Sequence, residues 1–242
     1  MKMNIVHLFP ELMSLYGEYA NLTVLRRRLE DLGAEVSITA VSCDDTPDFS
    51  DADLIYMGAG TERSLHFALS RLVPHKDALK AAANGGAVLL FTGNAMTALG
   101  RTVTDAAGET HEALALADFT TVESEKRTGV DVIAVPALWE ERAVGFMNKC
   151  SVTQGITTPL FSALPLGFGN ESEGGAEGYV SGNVFATHLT GPILVKNPAF
   201  TDLIIRRLFG RKGETCPAAL PRLPHEQEAY TVTLRELEAR IR

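Results

Sequence analysis

Ala87-Val88-Leu89-Leu90-Phe91 is an unbroken apolar run that leads into Thr92-Gly93-Asn94-Ala95-Met96-Thr97-Ala98-Leu99-Gly100, a turn of small residues. A run so short and apolar, bounded by glycine, reads as a strand buried on both faces. That environment exists in a parallel sheet with helices packed above and below it. The residues upstream supply the remaining elements. Met3–Phe9, ended by Pro10, Glu35–Ala40 and Asp53–Met57 read as further strands. Between the first two, Asn21 is placed to cap a helix whose Leu22, Leu25, Leu29 and Leu32 share one face. Arg26-Arg27-Arg28 and Glu30-Asp31 take much of the rest, and Gly33 stands at the C′ position. Leu65, Leu69 and Leu72 mark a second helix before Pro74, and an alanine-rich helix runs on to Asn84. This order of elements predicts an α/β fold with a mostly parallel sheet and helices on both faces.

Downstream of Gly100 the pattern changes to alternating β segments, clearest at Val130–Val135, Ala143–Met147 and Gly182–Thr187. A helix returns over Pro198–Phe209, with Phe200, Leu203, Ile204 and Leu208 on its apolar face. Gly210-Arg211-Lys212-Gly213 and Pro217, Pro221 and Pro224 read as an extended linker. A last helix over Tyr230–Arg242 carries Leu234, Leu237 and Ile241, with Glu236 and Arg240 spaced as an i, i+4 pair. The expected organisation is one domain over 1–212 and a proline-containing linker with a C-terminal helix over 213–242.

Composition narrows the function. The 242 residues carry 22 Lys+Arg against 30 Asp+Glu, a net charge of −8, and no basic run exceeds three residues. A nucleic-acid partner, whose phosphates need clustered positive charge, is therefore not expected. The start Met1-Lys2-Met3-Asn4 has no signal-peptide apolar core, and no apolar run approaches the ~20 residues of a membrane span, so a cytoplasmic location is expected. Cys43, Cys150 and Cys216 are scattered and form no CxxC pair, so neither a disulfide framework nor a zinc site is expected from them. No cofactor and no metal are expected.

In a parallel sheet the turn at Gly93 lies at the carboxyl ends of the strands, where ligands bind. A helix starting near Asn94 would aim backbone N–H groups at that turn. A second glycine-bearing loop, Gly58-Ala59-Gly60-Thr61-Glu62-Arg63, would stand at the same edge and offer another N–H.

Several segments, in order, resemble the class I glutamine amidotransferases of the cobyric acid synthase type, which include the glutaminase subunit of lipid II isoglutaminyl synthase. Leu15-Tyr16-Gly17-Glu18-Tyr19-Ala20-Asn21-Leu22 resembles the family's LYGDxGN segment. The glycine loop at Gly58, the elbow at Gly93 and Glu125-Lys126-Arg127-Thr128-Gly129 follow. Gly145-Phe146-Met147-Asn148 resembles GFEN, and Asn183–Pro192 resembles NVFGTYLHGP, followed by Lys196-Asn197-Pro198. The resemblance implies a flavodoxin-like class I amidotransferase fold. It also implies glutamine or another small carboxylate as ligand and a Mur-ligase-like, ATP-dependent amide ligase as partner, in cell-wall or corrinoid chemistry.

The same resemblance shows what is missing. Glutamine hydrolysis needs a thiolate nucleophile at the elbow, a histidine to activate it, and N–H donors for the oxyanion. Gly93 stands at the nucleophile position and Thr190 at the histidine position, while Met147 and Lys149 replace the Glu and His of GFENH. The expectation is a chain that keeps the fold without hydrolysis. Alternatives remain open: an enzyme of altered chemistry built on Arg127, the elbow N–H groups and His188, placed on the strand face of Thr190 at about 7 Å, or a binding module for a small carboxylate. Candidate ligand-binding residues are Gly58, Gly60, Gly93, Asn94 and Arg127. The arginine matches the family's EKR-x-G segment, where it looks like a carboxylate contact, although an ion pair with Glu123 or Glu125 would serve as well. Cys150, Cys43, Cys216 and Thr92 are weaker nucleophile candidates, and His7, His66, His75, His111 and His225 have no partner visible in the sequence.

Overall fold

The computed structural model describes residues 1–223 and 225–241, so the linker's Pro224 and the terminal Arg242 lie outside the described residues. The elements in chain order are β1 (Lys2–Leu8), α1 (Ala20–Asp31), β2 (Glu35–Val41), β3 (Leu54–Met57), α2 (Glu62–Leu72), α3 (Lys76–Asn84) and β4 (Val88–Thr92). Next come β5 (Thr102–Thr104), β6 (Thr110–Glu112), β7 (Thr120–Pro136), β8 (Ala143–Gln154) and β9 (Phe161–Leu166). The chain continues with β10 (Tyr179–Ser181), β11 (Val184–Thr187), β12 (Leu189–Thr190), α4 (Ile193–Lys196), α5 (Pro198–Arg211) and α6 (Glu226–Glu238).

Two six-stranded sheets result. The first has the order β10-β11-β4-β3-β1-β2 and is parallel except for its edge strand β10. Alternate residues of its strands serve opposite faces, as the period of a strand requires. Leu54, Tyr56, Val88 and Leu90 pack with Leu25 and Leu29 of α1 and Phe200, Ile204 and Leu208 of α5. Ile55, Met57, Leu89 and Phe91 pack with Leu65, Leu69 and Leu72 of α2 and Leu79 of α3. The doubly covered parallel sheet expected from Ala87–Phe91 is present.

The second sheet, β12-β8-β7-β5-β6 with β9 on β7, is built around the antiparallel β7–β8 hairpin. A register shift between Glu123 and Thr128 bends this hairpin. Gly182–Thr187 differs from the other downstream β segments: its strand β11 pairs in parallel with β4 and so extends the first sheet. Helix α6 lies on the second sheet, where Tyr230 and Leu237 pack on Ile133 and Val144 and the Tyr230 hydroxyl donates to the Arg142 carbonyl at 2.8 Å.

Three local expectations are corrected. Asn21 is not the helix cap; it lies inside α1, fully buried, where its side chain cross-links other elements. Arg28 does not share the exposed face of Arg26 and Arg27; it is buried and pairs with Asp202 of α5. The last helix ends at Glu238, Ile241 is exposed, and Arg240 pairs with Asp131 rather than Glu236. Each involves a contact far away in sequence, which helical spacing cannot encode. Among the described residues no helix is long and apolar enough to cross a membrane.

Candidate active site

At the carboxyl end of β4 the chain turns at Gly93, whose φ of +63° only glycine adopts without strain. The residues after it form a short 3-10 turn, Gly93–Leu99, and not the expected α-helix. The expected α-helix N-terminus is thus replaced by the start of a 3-10 turn. The Asn94 side chain takes a different role: its Oδ1 accepts the Gly60 N–H at 2.9 Å, fastening the glycine loop to the elbow. One of the N–H groups expected to stabilise an oxyanion is thereby already engaged.

A cavity of about 170 Å³ opens at this edge. Gly60, Gly93, Asn94, Arg127 and Thr190 line it together with Tyr16, Ala59, Glu62 and Asn148, so four of the five expected ligand-binding residues converge, and Thr190 joins them. Gly58 is absent from the lining; it lies behind the loop, where a Cβ would stand 2.6 Å from the Met13 carbonyl oxygen. Arg127 pairs with Glu62 at 2.8 Å and donates to Asn148 Oδ1 at 3.2 Å, and Asn148 in turn donates to the Tyr16 hydroxyl at 2.7 Å. Its ion-pair partner is thus the first residue of α2, and not Glu123 or Glu125. Hydrogen bonding to Glu62 raises the Arg127 pKa above the ordinary arginine value, although burial opposes it. For Glu62, burial pushes the carboxyl up, and the hydrogen bonds from Arg127, its own backbone and Cys150 outweigh this and hold it below its usual value.

Neither half of a hydrolytic dyad is present among the lining residues. Position 93 also lacks room for a side chain: a Cβ there would stand 2.5 Å from the Ala59 Cβ and 3.0 Å from the Thr190 Cγ2. Thr190 turns its hydroxyl to the Phe146 carbonyl at 3.1 Å. His188 does not share the face of Thr190, because the chain leaves the first sheet at Thr187 and enters the second at Leu189. It is buried outside the cavity, with Nδ1 3.2 Å from Glu177 and Nε2 without a partner among the described residues. Burial lowers its pKa, and the nearby Lys149 ammonium, which donates to the Gly169 carbonyl at 2.6 Å, adds to the effect against Glu177. Cys150 sits behind Glu62 with its thiol on Oε1 at 3.3 Å, and burial and that carboxylate push its pKa up to about 11. A nucleophilic thiol needs the opposite shift. Cys43 is pushed up to about 11 and Cys216 also upward, burial leading in both.

Beneath the elbow lies a polar layer that sequence reading did not assemble. Glu18, fully buried, accepts from Thr92, from the Tyr56 hydroxyl at 3.2 Å, from Asn21 Nδ2 at 3.4 Å and from the Gly191 N–H at 3.2 Å. Asn21 Oδ1 accepts the Leu194 N–H at 2.8 Å. Burial raises the Glu18 pKa to about 7, against the hydrogen bonds from Thr92, Gly191 and Tyr56. The available signal was the LYGDxGN-like segment, which holds both Glu18 and Asn21; Tyr56 carried none.

A flavodoxin-like sheet with an elbow and a facing glycine loop at its carboxyl edge defines the class I glutamine amidotransferase fold. Solved structures agree on the fold: a glutamine amidotransferase from Thermotoga maritima superposes with a TM-score of 0.52 at 11% identity, over 99% of this chain and 97% of that one. Another glutamine amidotransferase gives 0.51 at 12%, over 84% and 98%. Residues 4–198 match the CobB/CobQ-like glutamine amidotransferase domain, and the chain belongs to that family. Among curated proteins, the GatD subunit of lipid II isoglutaminyl synthase (glutamine-hydrolyzing) from Staphylococcus aureus is 28% identical over 215 residues, 88% of this chain and 86% of that protein. Its counterpart from Streptococcus pneumoniae is 29% identical over 218 residues, 87% and 82%. The chain is thus similar to GatD subunits over most of its length.

Proposed function

We propose that this chain is a glutaminase-like subunit that does not hydrolyse glutamine and that serves as a structural or ligand-sensing component of an ATP-dependent amide ligase of the Mur-ligase-like kind. The observation that carries the reading is position 93, which has no side chain and, with the Ala59 Cβ 2.5 Å from where its own Cβ would stand, no space for one. Attack on a carboxamide needs a nucleophile within reach of the carbon and a base beside it. The cavity presents Thr190, Asn94, Asn148 and an Arg127–Glu62 pair.

These residues suit holding a small molecule better than cleaving it. The Arg127 guanidinium matches a carboxylate, and Asn94 Nδ2 has no partner among the described residues. Glutamine or another small carboxylate is the ligand this donor set favours. The partner reading draws on the relatives, whose names describe one subunit of a synthase. It also draws on exposed apolar surface at the rim, where Leu15 and Tyr16 line the cavity and Tyr19 follows three residues later. Residues 1–212 form the working domain on this reading, 213–242 are an appendage, and the protein works in the cytoplasm. Reconstitution with such a ligase tests the proposal. Amide formation is expected with free ammonium and not with glutamine as nitrogen source; glutamine-supported amidation would overturn it.

A further inference from the structure

His66 of α2, Asp105 and His111 of the β5–β6 hairpin, and Glu123 of β7 are scattered over 58 positions of sequence and meet at one place outside the cavity. The two imidazole rings stack with centroids 4.4 Å apart and planes 29° apart. His66 Nε2 lies 3.1 Å from a Glu123 carboxylate oxygen, and His111 Nε2 lies 3.3 Å from Asp105 Oδ2. One ligating atom from each of His66, Asp105 and His111 falls within 4.8 Å of the other two. A tetrahedral zinc ion with bonds of ~2.0–2.1 Å has ligand–ligand edges of roughly 3.3–3.4 Å. The His66–Glu123 and His111–Asp105 distances of 3.1 and 3.3 Å approach that size, and His66, Asp105 and His111, only half-buried, have room to adjust.

The carboxylates are held for such a role. Asp105 Oδ1 accepts the N–H groups of Ala107 and Glu109 at 2.9 and 2.8 Å, which leaves Oδ2 aimed at His111. This is how an outer shell fixes a metal ligand.

We propose that His66, Asp105 and His111, with Glu123 as fourth donor, bind one divalent transition-metal ion of the zinc class. Paired imidazole and carboxylate donors favour zinc, cobalt or nickel over magnesium or calcium. The ion clamps α2 to the hairpin and to β7. Helix α2 begins at Glu62, the partner of Arg127 in the cavity wall, so the clamp braces that wall.

Metal-free full-length protein titrated with Co²⁺ tests the proposal. One equivalent per chain is expected, with the visible absorption of tetrahedral Co²⁺, displaced by one equivalent of Zn²⁺ and accompanied by a higher thermal midpoint. His111→Gln and Asp105→Asn should each weaken binding by at least about tenfold, and His225→Gln should leave it unchanged. Histidine–carboxylate ion pairs alone would show as no stoichiometric uptake by the unmodified protein. That result, or uptake that neither variant weakens, would overturn the assignment.

Discussion

The carboxyl edge of the first sheet and the polar layer directly beneath it are separated by a single residue, Thr92 against Gly93, and they differ in kind. At the edge Gly93 and Thr190 face the cavity, and the glycine loop is drawn close enough that the Ala59 Cβ lies 2.5 Å from where a Cβ at position 93 would stand. In the layer below, Glu18, Tyr56, Thr92 and Asn21 are fully buried and joined by hydrogen bonds that reach Gly191 and Leu194. The two regions answer to different requirements. Buried polar groups must be satisfied for the chain to fold, whereas side chains that face a cavity are needed only for what happens in it.

The largest effect should come from the layer. Glu18→Ala leaves four donors directed at a void, and urea unfolding should show a loss of about 3–5 kcal/mol; a loss below 1 kcal/mol would erase the contrast. Glu18→Gln sharpens it through pH. The folded Glu18 pKa of about 7 lies above its ordinary 4.5, so the folded chain keeps a proton that the unfolded chain releases between those values. The stability this contributes is fully present below pH 4.5 and lost as pH rises through 7, a change of about 3 kcal/mol. His7 acts in the opposite sense: burial lowers its pKa to about 4 against Glu11, so its contribution is present above pH 6.5 and lost as pH falls through 4. Subtracting the Glu18→Gln profile from that of the unmodified protein isolates the glutamate, and a flat difference would remove the charge argument.

At the edge, Gly93→Ala should cost about 2 kcal/mol, from its positive φ and the Ala59 contact. A neutral result in thermal unfolding would mean that the loop yields easily and the space is not closed. Arg127→Ala should cost the least stability, under about 1 kcal/mol, because its ion pair with Glu62 is partly exposed. It should nonetheless abolish glutamine binding in calorimetry, and retained binding would separate the arginine from the ligand.

The layers of the fold were legible because they rest on local pattern. Val88–Phe91 sits in the strand its apolar run indicates, Leu22, Leu25 and Leu29 line one helix face, and Gly33 closes that helix with φ of +81°. The cavity was legible through motifs: Gly93, Asn94, Arg127 and Thr190 do converge. What escaped depends on contacts far apart in the chain. Nothing near Glu62 announces Arg127, nothing near His66 announces His111, and the approach of Ala59 to Gly93 joins loops 34 residues apart. Arg28 shows the same limit: its neighbours Arg26 and Arg27 make exposed i, i+4 pairs, while it turns inward to meet Asp202, 174 residues away.

Ammonia release from glutamine by the purified full-length protein decides whether hydrolysis is lost, as proposed. No release above the buffer blank is expected at millimolar glutamine, since a cavity whose lining holds neither a thiol nor an imidazole offers no nucleophile and base for the attack. Sustained turnover that His188→Ala abolishes would show that the chain is a working glutaminase.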